Sequence, residues 1–227
     1  MSEPARNAAS SGPGSRSANR PGAARVLLAT TNAGKLRELR PVLAAMGLDL
    51  CGLEAFPGLA VAPEDADSFA GNALAKARFY AQATGLPVLA DDSGLVVTAL
   101  SGAPGVHSAR YAGPQADDAA NRARLLAELG PHADRSAIFV CALCLLDPAA
   151  PGATLAVEGR CSGKIAQVER GSQGFGYDPL FVPDDARAAG RSFAQLSPAE
   201  KLALSHRGRA LAALAEALAA RAAGDSP

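Results

Sequence analysis

Two adjacent carboxylates, Asp91 and Asp92, follow a short apolar run in the segment VLADDSGL (88–95). Neighbouring carboxylates repel one another, and burying them is costly unless a cation or hydrogen-bond donors compensate. One interpretation is a polar turn between two strands, because Asp-Ser-Gly is typical turn chemistry. The other is a cation site at the carboxyl end of a buried strand predicted over 87–90. Other motifs must decide between the two.

A cationic counterpart lies in TTNAGK (30–35), at the end of an apolar strand predicted over 25–31. The segment lacks the leading Gly and trailing Ser/Thr of a Walker loop, so its spacing excludes that motif. Free backbone N–H groups, two hydroxyls and Lys35 still predict an anion-binding corner at a helix start, although strand, turn and helix in this order are also ordinary architecture. A polyphosphate carrying Mg²⁺ would satisfy the corner and the carboxylates together, with Glu64 as a third candidate carboxylate.

Lysine is scarce in this chain, with four residues against eighteen arginines. A chain that uses Arg wherever a surface cation suffices is expected to keep Lys where a compact ammonium is needed. The candidates are Lys35, Lys76, Lys164 and Lys201. Chance retention is the alternative, above all for Lys164.

An aromatic motif, GFGYDP (174–179), sets Phe175 and Tyr177 among glycines. A flexible loop that presents an aromatic face is one way to stack a nucleotide base. A turn anchored in the core by its aromatic residues is the equally common alternative, and both interpretations stay open.

The segment EKLALSHRGRAL (200–211) carries further candidate ligand-binding side chains. On one continuous helix Lys201 and His206 would lie about 140° apart, on different faces. We therefore predict a break near Ser205, which would cap a second helix and place His206 and Arg207 in its first turn.

The elements that must position these motifs alternate in the first half of the chain and cluster as strands in the second. Predicted helices cover 35–46, 68–84 and 116–129, with Ser197 and Glu200 forming a capping box for the C-terminal helices, and predicted strands cover 25–31, 48–53, 87–90, 137–146 and 154–160. This order predicts an α/β fold with a mixed sheet flanked by helices. Ligands in such folds lie beyond the carboxyl ends of strands, where both TTNAGK and the acidic pair fall.

Composition limits the classes of partner. The 22 basic and 22 acidic residues balance, aromatic residues make up 4% and there is no Trp, so we expect no nucleic-acid partner. No apolar run approaches the ~20 residues of a membrane span, so we expect a soluble protein with no membrane partner. Residues 1–24 contain almost no apolar bulk and are predicted to be a disordered tail rather than a secretory signal.

Four cysteines bear on the redox compartment. Cys141-Ala-Leu-Cys144 permits a redox or zinc interpretation, but it lies in the apolar run AIFVCALCLL, where residues three apart in a strand face opposite sides. We therefore predict buried, inert thiols in a reducing compartment, which favours a cytoplasmic location.

Five motifs in the same order resemble those of the inosine/xanthosine triphosphate pyrophosphatase family over residues 25–218. They are ATTNAGKLRE (29–38), SFAGNALAKA (68–77), ADDSGL with APGVHSARYAG (90–95 and 103–113), GFGYDP (174–179) and EKLALSHRGRAL (200–211). The resemblance implies a single domain over 25–222, with an elongated, mixed, twisted sheet and two lobes around a central cleft. It also implies a homodimer that uses Mg²⁺ to hydrolyse non-standard purine nucleoside triphosphates (ITP, dITP, XTP) to the monophosphate and pyrophosphate.

The resemblance further implies the roles of individual residues. Asp92 matches the base and metal ligand, supported by Glu64 or Asp91 at the metal and by Lys35 as a catalytic cation. The positions matching substrate contacts are Thr30, Thr31, Asn32, Ala33, Gly34, Lys35, Ser93, Phe175, Gly176, Tyr177, Asp178, Lys201, His206 and Arg207. Donors from His206 and Arg207 would suit a 6-keto purine, whereas the 6-amino group of adenine would leave them unpaired.

Three positions depart from the family pattern. Gly71 replaces a usual Glu, Ala66 a usual Gly, and His107 a common aromatic residue. Because that Glu could contribute to metal binding, a non-catalytic purine nucleotide-binding protein remains an alternative. A phospho-aspartyl phosphatase is a second alternative, although it would need Asp-x-Asp rather than Asp-Asp.

Overall fold

The computed structural model describes residues 25–130 and 132–224. The predicted N-terminal tail, residues 1–24, lies outside the described residues. The strands are β1 (Val26–Ala29), β2 (Leu50–Gly52), β3 (Val88–Val97), β4 (Ser136–Leu146), β5 (Leu155–Ile165) and β6 (Phe181–Pro183). The helices are α1 (Ala33–Ala45), α2 (Phe69–Thr84), α3 (Asp118–Leu129), α4 (Pro198–Leu204) and α5 (His206–Ala222).

The six strands of the described ranges form one mixed sheet in the order β2-β1-β3-β4-β5-β6. β2, β1 and β3 are parallel, whereas β3, β4, β5 and β6 pair antiparallel. The predicted α/β class with a mixed sheet is confirmed. In the part of the chain that the structure describes, no helix is both long and apolar enough to cross a membrane.

The central strand β3 extends beyond its parallel neighbour. β1 ends at Ala29, opposite Ala90, while β3 continues to Val97 with β4 paired along its other edge. The predicted strand over 87–90 is therefore too short, and the predicted turn at Asp91 is wrong. Local turn chemistry is overridden because ten consecutive residues of β3 pair with β4. Past Ala90, β1 no longer covers this edge of β3. From Leu95 onward the edge bonds instead to the segment 103–108, where the Leu95 N–H donates to Ser108 Oγ at 2.9 Å and the Val97 N–H donates to the Ala103 carbonyl at 3.2 Å.

Two helical layers cover the two faces of the sheet. Alternate residues of β3 pack against different clusters: Val88 and Ala90 lie with α2, and Leu89 lies with α1 and α5. Cys141 and Cys144 divide between the same two faces, as their spacing predicts. All four cysteines are free and buried, so the prediction of buried thiols is confirmed.

Helix boundaries follow local capping signals. The Ser68 side chain caps α2, and Ser197 and Glu200 form the predicted capping box of α4. The predicted break is also confirmed, because Ser205 ends α4 and its side chain caps α5. His206 and Arg207 therefore occupy the first turn of a separate helix.

Candidate functional site

A cleft of about 410 Å³ opens beyond the end of β1, beside Asp92, Ser93 and Gly94 of β3. It contains most of the predicted site residues: Thr30, Thr31, Asn32, Lys35, Glu64, Asp92, Ser93, Phe175, Gly176, Tyr177, Asp178, Lys201, His206 and Arg207. Lys35 and Asp92 thus share one cleft. Ala33, Gly34 and Asp91 lie outside this lining.

The cationic corner predicted over 30–35, called the phosphate corner below, is built by the turn from β1 into α1. Asn32 is the N-cap, and its Oδ1 accepts the Lys35 N–H at 3.0 Å. The Asn32 N–H in turn donates to Thr30 Oγ1 at 3.2 Å. α1 begins at Ala33, two residues before the predicted start and directly after three cleft-lining residues, so the positive end of the helix dipole lies at the cleft.

Glu64 and Asp92 form the acidic wall of the cleft, and both carboxylates face Lys76 of α2. The Lys76 ammonium lies 2.8 Å from Glu64 Oε1 and 3.4 Å from Asp92 Oδ1, so both carboxylates are directed at one cation. Asn72 Nδ2 donates to Asp92 Oδ2 at 3.1 Å. Burial raises the pKa of Asp92, and the charges of Lys76 and Lys35 offset this only in part. Asp92 is therefore easier to protonate than an ordinary aspartate.

Asp91 points to the other face of β3. Its carboxylate pairs with Lys35, accepts from the Ser93 hydroxyl at 3.3 Å and lies 3.4 Å from Arg207 Nε. The Cys141 thiol donates to it at 3.1 Å. Burial alone would raise its pKa, but the charges of Lys35 and Arg207 outweigh burial and lower it well below the usual range. The expected metal role of Asp91 does not fit this placement, because its carboxylate lies against Lys35 of α1 and Arg207 of α5, whereas Glu64 and Asp92 converge at Lys76 of α2.

Glu38 of α1 joins the phosphate corner to the C-terminal helices. Its carboxylate accepts from Lys201 Nζ at 2.6 Å and also pairs with the Arg207 guanidinium. Burial raises the pKa of Glu38, but Arg207 and Lys201 together lower it. Asp178 is the second partner of Lys201. Sequence reasoning missed Glu38, since its only local signal is the i,i+3 spacing from Lys35 on one helix face.

The 174–178 loop places its two aromatic side chains differently. Phe175 is half-buried at the cleft wall, with its ring centroid 4.9 Å from the Lys201 ammonium. Tyr177 is buried, and its hydroxyl donates to the Ser108 carbonyl at 2.9 Å. One aromatic side chain therefore faces the cleft, and the other anchors the loop in the core.

His206 is a buried neutral imidazole. Its ring stacks on Phe139 with centroids 4.5 Å apart. Burial lowers its pKa well below the usual value, and the adjacent charges of Arg207 and Lys201 lower it further. Among the described residues, its Nδ1 has no hydrogen-bond partner. The ring can therefore offer one donor and one acceptor at neutral pH.

Lysine scarcity pointed to the cleft for three of the four lysines. Lys76, Lys35 and Lys201 all line it, whereas Lys164 is exposed on β5. Lys76 was only a suspect from composition, and its position between the two acids comes from tertiary structure. Asn72, which lies in the motif SFAGNALAKA, and Asp118 were not predicted as site residues.

Two of the departures from the family pattern lie against each other. A Cβ added at Gly71 would fall 2.9 Å from the Ala66 Cβ. The Ala66 N–H donates to Asn72 Oδ1 at 2.9 Å, and Asn72 also holds Asp92. Gly71 and Ala66 are therefore complementary in size beside the acidic wall.

Comparison with known proteins identifies relatives along almost the whole described chain. The profile of the Ham1 family matches residues 26–217. A Nocardia farcinica protein named dITP/XTP pyrophosphatase is 52% identical over 204 residues, covering 88% of this chain and 97% of the relative. A Mycolicibacterium paratuberculosis protein of the same name is 53% identical over 198 residues, covering 85% and 95%. The solved structure of a HAM1 protein from Coxiella burnetii superposes with a TM-score of 0.78 at 40% identity, covering 86% of this chain and 98% of that one.

Proposed function

The chain belongs to the Ham1 family, and from that premise we propose that it hydrolyses non-standard purine nucleoside triphosphates to the monophosphate and pyrophosphate. ITP, dITP and XTP are the proposed substrates. The observation that carries the proposal is the shared cleft, in which the Asp92 and Glu64 carboxylates face a helix N-terminus and Lys35. The family resemblance predicted from the five motifs is confirmed.

We propose Mg²⁺ as the cofactor, held by Asp92 and Glu64. The fit is supported by the Lys76 ammonium, which contacts both carboxylates and shows that they converge on one cation. Within the described residues no group of three or more His, Cys, Asp or Glu side chains could hold a metal ion. A two-carboxylate site suits Mg²⁺, which usually binds one or two carboxylates together with water and phosphate oxygens. When bound, the ion would neutralise phosphate charge.

Asp92 is the proposed general base. Its carboxylate lines the cleft that would hold the phosphates, where a general base must lie to reach the attacking water. Asn72 donates to one oxygen of the carboxylate, and the other oxygen lies 3.4 Å from the Lys76 ammonium, so the orientation of the carboxylate is fixed. Asp92 would orient the attacking water and take its proton.

Lys35 and Lys201 are the proposed phosphate-stabilising cations. Internal carboxylates hold both ammonium groups: Asp91 holds Lys35, while Glu38 and Asp178 hold Lys201. Preorganised charges of this kind stabilise developing negative charge without reorganisation during the reaction. Thr30, Thr31, Asn32 and the N–H groups of Ala33 and Gly34 complete the proposed phosphate contacts.

Base selection is proposed to depend on the opposite side of the cleft, where Phe175 would stack on the purine. The neutral His206 ring supplies a single N–H donor that suits a 6-keto oxygen. Arg207 is a second proposed donor, and its guanidinium is fixed by Glu38, Asp91 and Ser93. The amino group of adenine would leave such donors unpaired, which discriminates strongly against ATP.

A substrate panel tests the proposal. Purified protein is incubated with ITP, dITP, XTP, GTP or ATP, with Mg²⁺ or with a chelator, and pyrophosphate, orthophosphate and monophosphate are quantified over time. We expect pyrophosphate and monophosphate in equal amounts, fastest from ITP, dITP and XTP, and only with the metal. Equal rates on all five nucleotides would contradict base selection, orthophosphate as first product would contradict the cleavage position, and binding without turnover would indicate a non-catalytic protein.

We also propose that the enzyme is a homodimer in the cytoplasm. The dimer rests on family resemblance, and light scattering coupled to gel filtration measures it directly. The cytoplasmic location rests on the four free, buried thiols, which suit a reducing compartment.

A further inference from the structure

The backbone of Gly176, next to Phe175, is held from outside by helix α3. Its N–H donates to Asp118 Oδ2 at 2.7 Å, and its carbonyl accepts from Arg122 Nη1 at 3.0 Å. Both polar groups of this one peptide position are thus bound by side chains of another element. Gly176 has φ +59°, a left-handed conformation that such bonds can stabilise.

The spacing of Asp118 and Arg122 along α3 suits these two bonds to Gly176. Asp118 and Arg122 are four residues apart and therefore share one helix face. Arg122 Nε also donates to Glu169 Oε1 at 2.8 Å, which fixes the guanidinium on the far side of the loop. Asp118 lies at the cleft lining itself. α3 contributes nothing else to the proposed chemistry, so this contact is its link to the site.

The two bonds from α3 hold the backbone directly after Phe175. The Phe175 N–H donates to Asp178 Oδ2 at 2.8 Å, which anchors the loop on its inner side. The ring packs so closely on α1 that a Cβ added at Gly34 would fall 2.5 Å from ring atoms. Asp178 therefore holds the backbone of Phe175 itself, and α3 holds the backbone of the next residue, Gly176.

We propose that Asp118 and Arg122 are positioning residues that fix the Phe175 ring as the base-stacking wall of the cleft. The inference rests on the proposed function, because it assigns the ring a purine. Neither residue contacts the phosphate corner or the acidic wall. Their loss should weaken recognition of the base and leave recognition of the polyphosphate intact.

Steady-state kinetics separate these two effects. In Asp118→Ala and in Arg122→Ala we expect KM for ITP to rise about tenfold, the equivalent of one weakened stacking contact, with little change in kcat. Asp118→Asn keeps the acceptor oxygen and should restore the parent KM. Inorganic tripolyphosphate, which has no base, should inhibit every variant with the parent inhibition constant.

Two residues with similar bonds outside the cleft lining, Asp185 and Arg209, serve as matched controls. Asp185 accepts the Arg187 N–H at 3.0 Å, and Arg209 donates to the Arg160 carbonyl at 2.8 Å. Asp185→Ala and Arg209→Ala should keep the parent KM. An unchanged KM in both α3 variants, or an equal loss of tripolyphosphate binding, would overturn the proposal.

A fluorescence measurement tests the loop without turnover. The chain has no Trp, so Phe175→Trp introduces a single reporter at the position of the ring. Adding Asp118→Ala to that variant should increase acrylamide quenching and lower emission anisotropy, whereas adding Asp118→Asn should not. Equal quenching and equal anisotropy in all three chains would overturn the positioning role even if the wild type hydrolyses ITP. If the wild type releases no pyrophosphate, the proposed function fails while this measurement still reports on the loop.

Discussion

The two faces of β3 put neighbouring aspartates to opposite uses. Asp91, on the face of α1 and α5, has all its bonding capacity taken up by Lys35, Arg207 and other donors, and its pKa is lowered. Asp92, on the α2 face, lines the cleft with its pKa raised. The strand rotates successive side chains by half a turn, so adjacency in sequence does not mean a shared site. One carboxylate organises the cations, and the other remains available for chemistry.

Substitution of Asp92 should have the largest effect on turnover, because its side chain lines the cleft. Asp92→Asn removes the proposed base and a metal ligand, so we expect kcat to fall about 10²–10⁴-fold. Nucleotide binding, measured by calorimetry, should persist because the phosphate corner and the Phe175 side are intact. The folded state should be as stable as the parent or more so, since the raised pKa means that burial disfavours the charged form. Parent-like turnover would contradict the role of Asp92.

Substitution of Asp91, on the face of β3 that packs on α1 and α5, should reduce the stability of the folded state. Asp91→Asn removes the buried counter-ion of Lys35 and one of the two carboxylates that hold Arg207, so we expect a loss of about 3–5 kcal/mol in the free energy of unfolding. Denaturant titration with a chelator present measures it. Asp92→Asn is the matched control, being the same substitution one residue away. Equal stabilities of the two variants would show that the faces do not differ as described.

At acidic pH, the free energy of unfolding should differ less between Asp91→Asn and the parent. The folded-state pKa of Asp91 is lowered, so its contribution to stability is complete above the unfolded pKa of about 3.9 and is lost as pH falls toward the folded value. Unfolding free energies measured from pH 7 to pH 2 should therefore differ by a constant amount above about pH 5 and converge below about pH 4. A gap that stays constant to pH 2 would contradict the lowered pKa.

The smallest effect concerns packing behind Asp92. Gly71→Glu alone forces its Cβ against Ala66, and Ala66→Gly removes that contact. We expect the double variant to be more stable than the sum of the single variants predicts, by about 1 kcal/mol. Chemical denaturation of the four chains gives this coupling energy. Additive effects would show that the two positions do not touch.

Local features of the fold were predictable from residue types and spacing. The caps at Ser68, Ser197 and Ser205 need only a side-chain oxygen and nearby N–H groups, so a few residues define them. The motifs TTNAGK and GFGYDP likewise pointed to the cleft. β3 was mispredicted because its length depends on pairing with β4, about fifty residues later along the chain.

The sequence by itself determined the class of fold, the capped starts of α2, α4 and α5, and the family, because these depend on local bonds and ordered motifs. Tertiary structure alone decided which aspartate faces the cleft, that Glu38 holds Lys201 and Arg207, and that α3 grips Gly176. The physical reason is that these interactions join groups as many as 169 residues apart. No local pattern encodes a contact that exists only after the sheet has assembled.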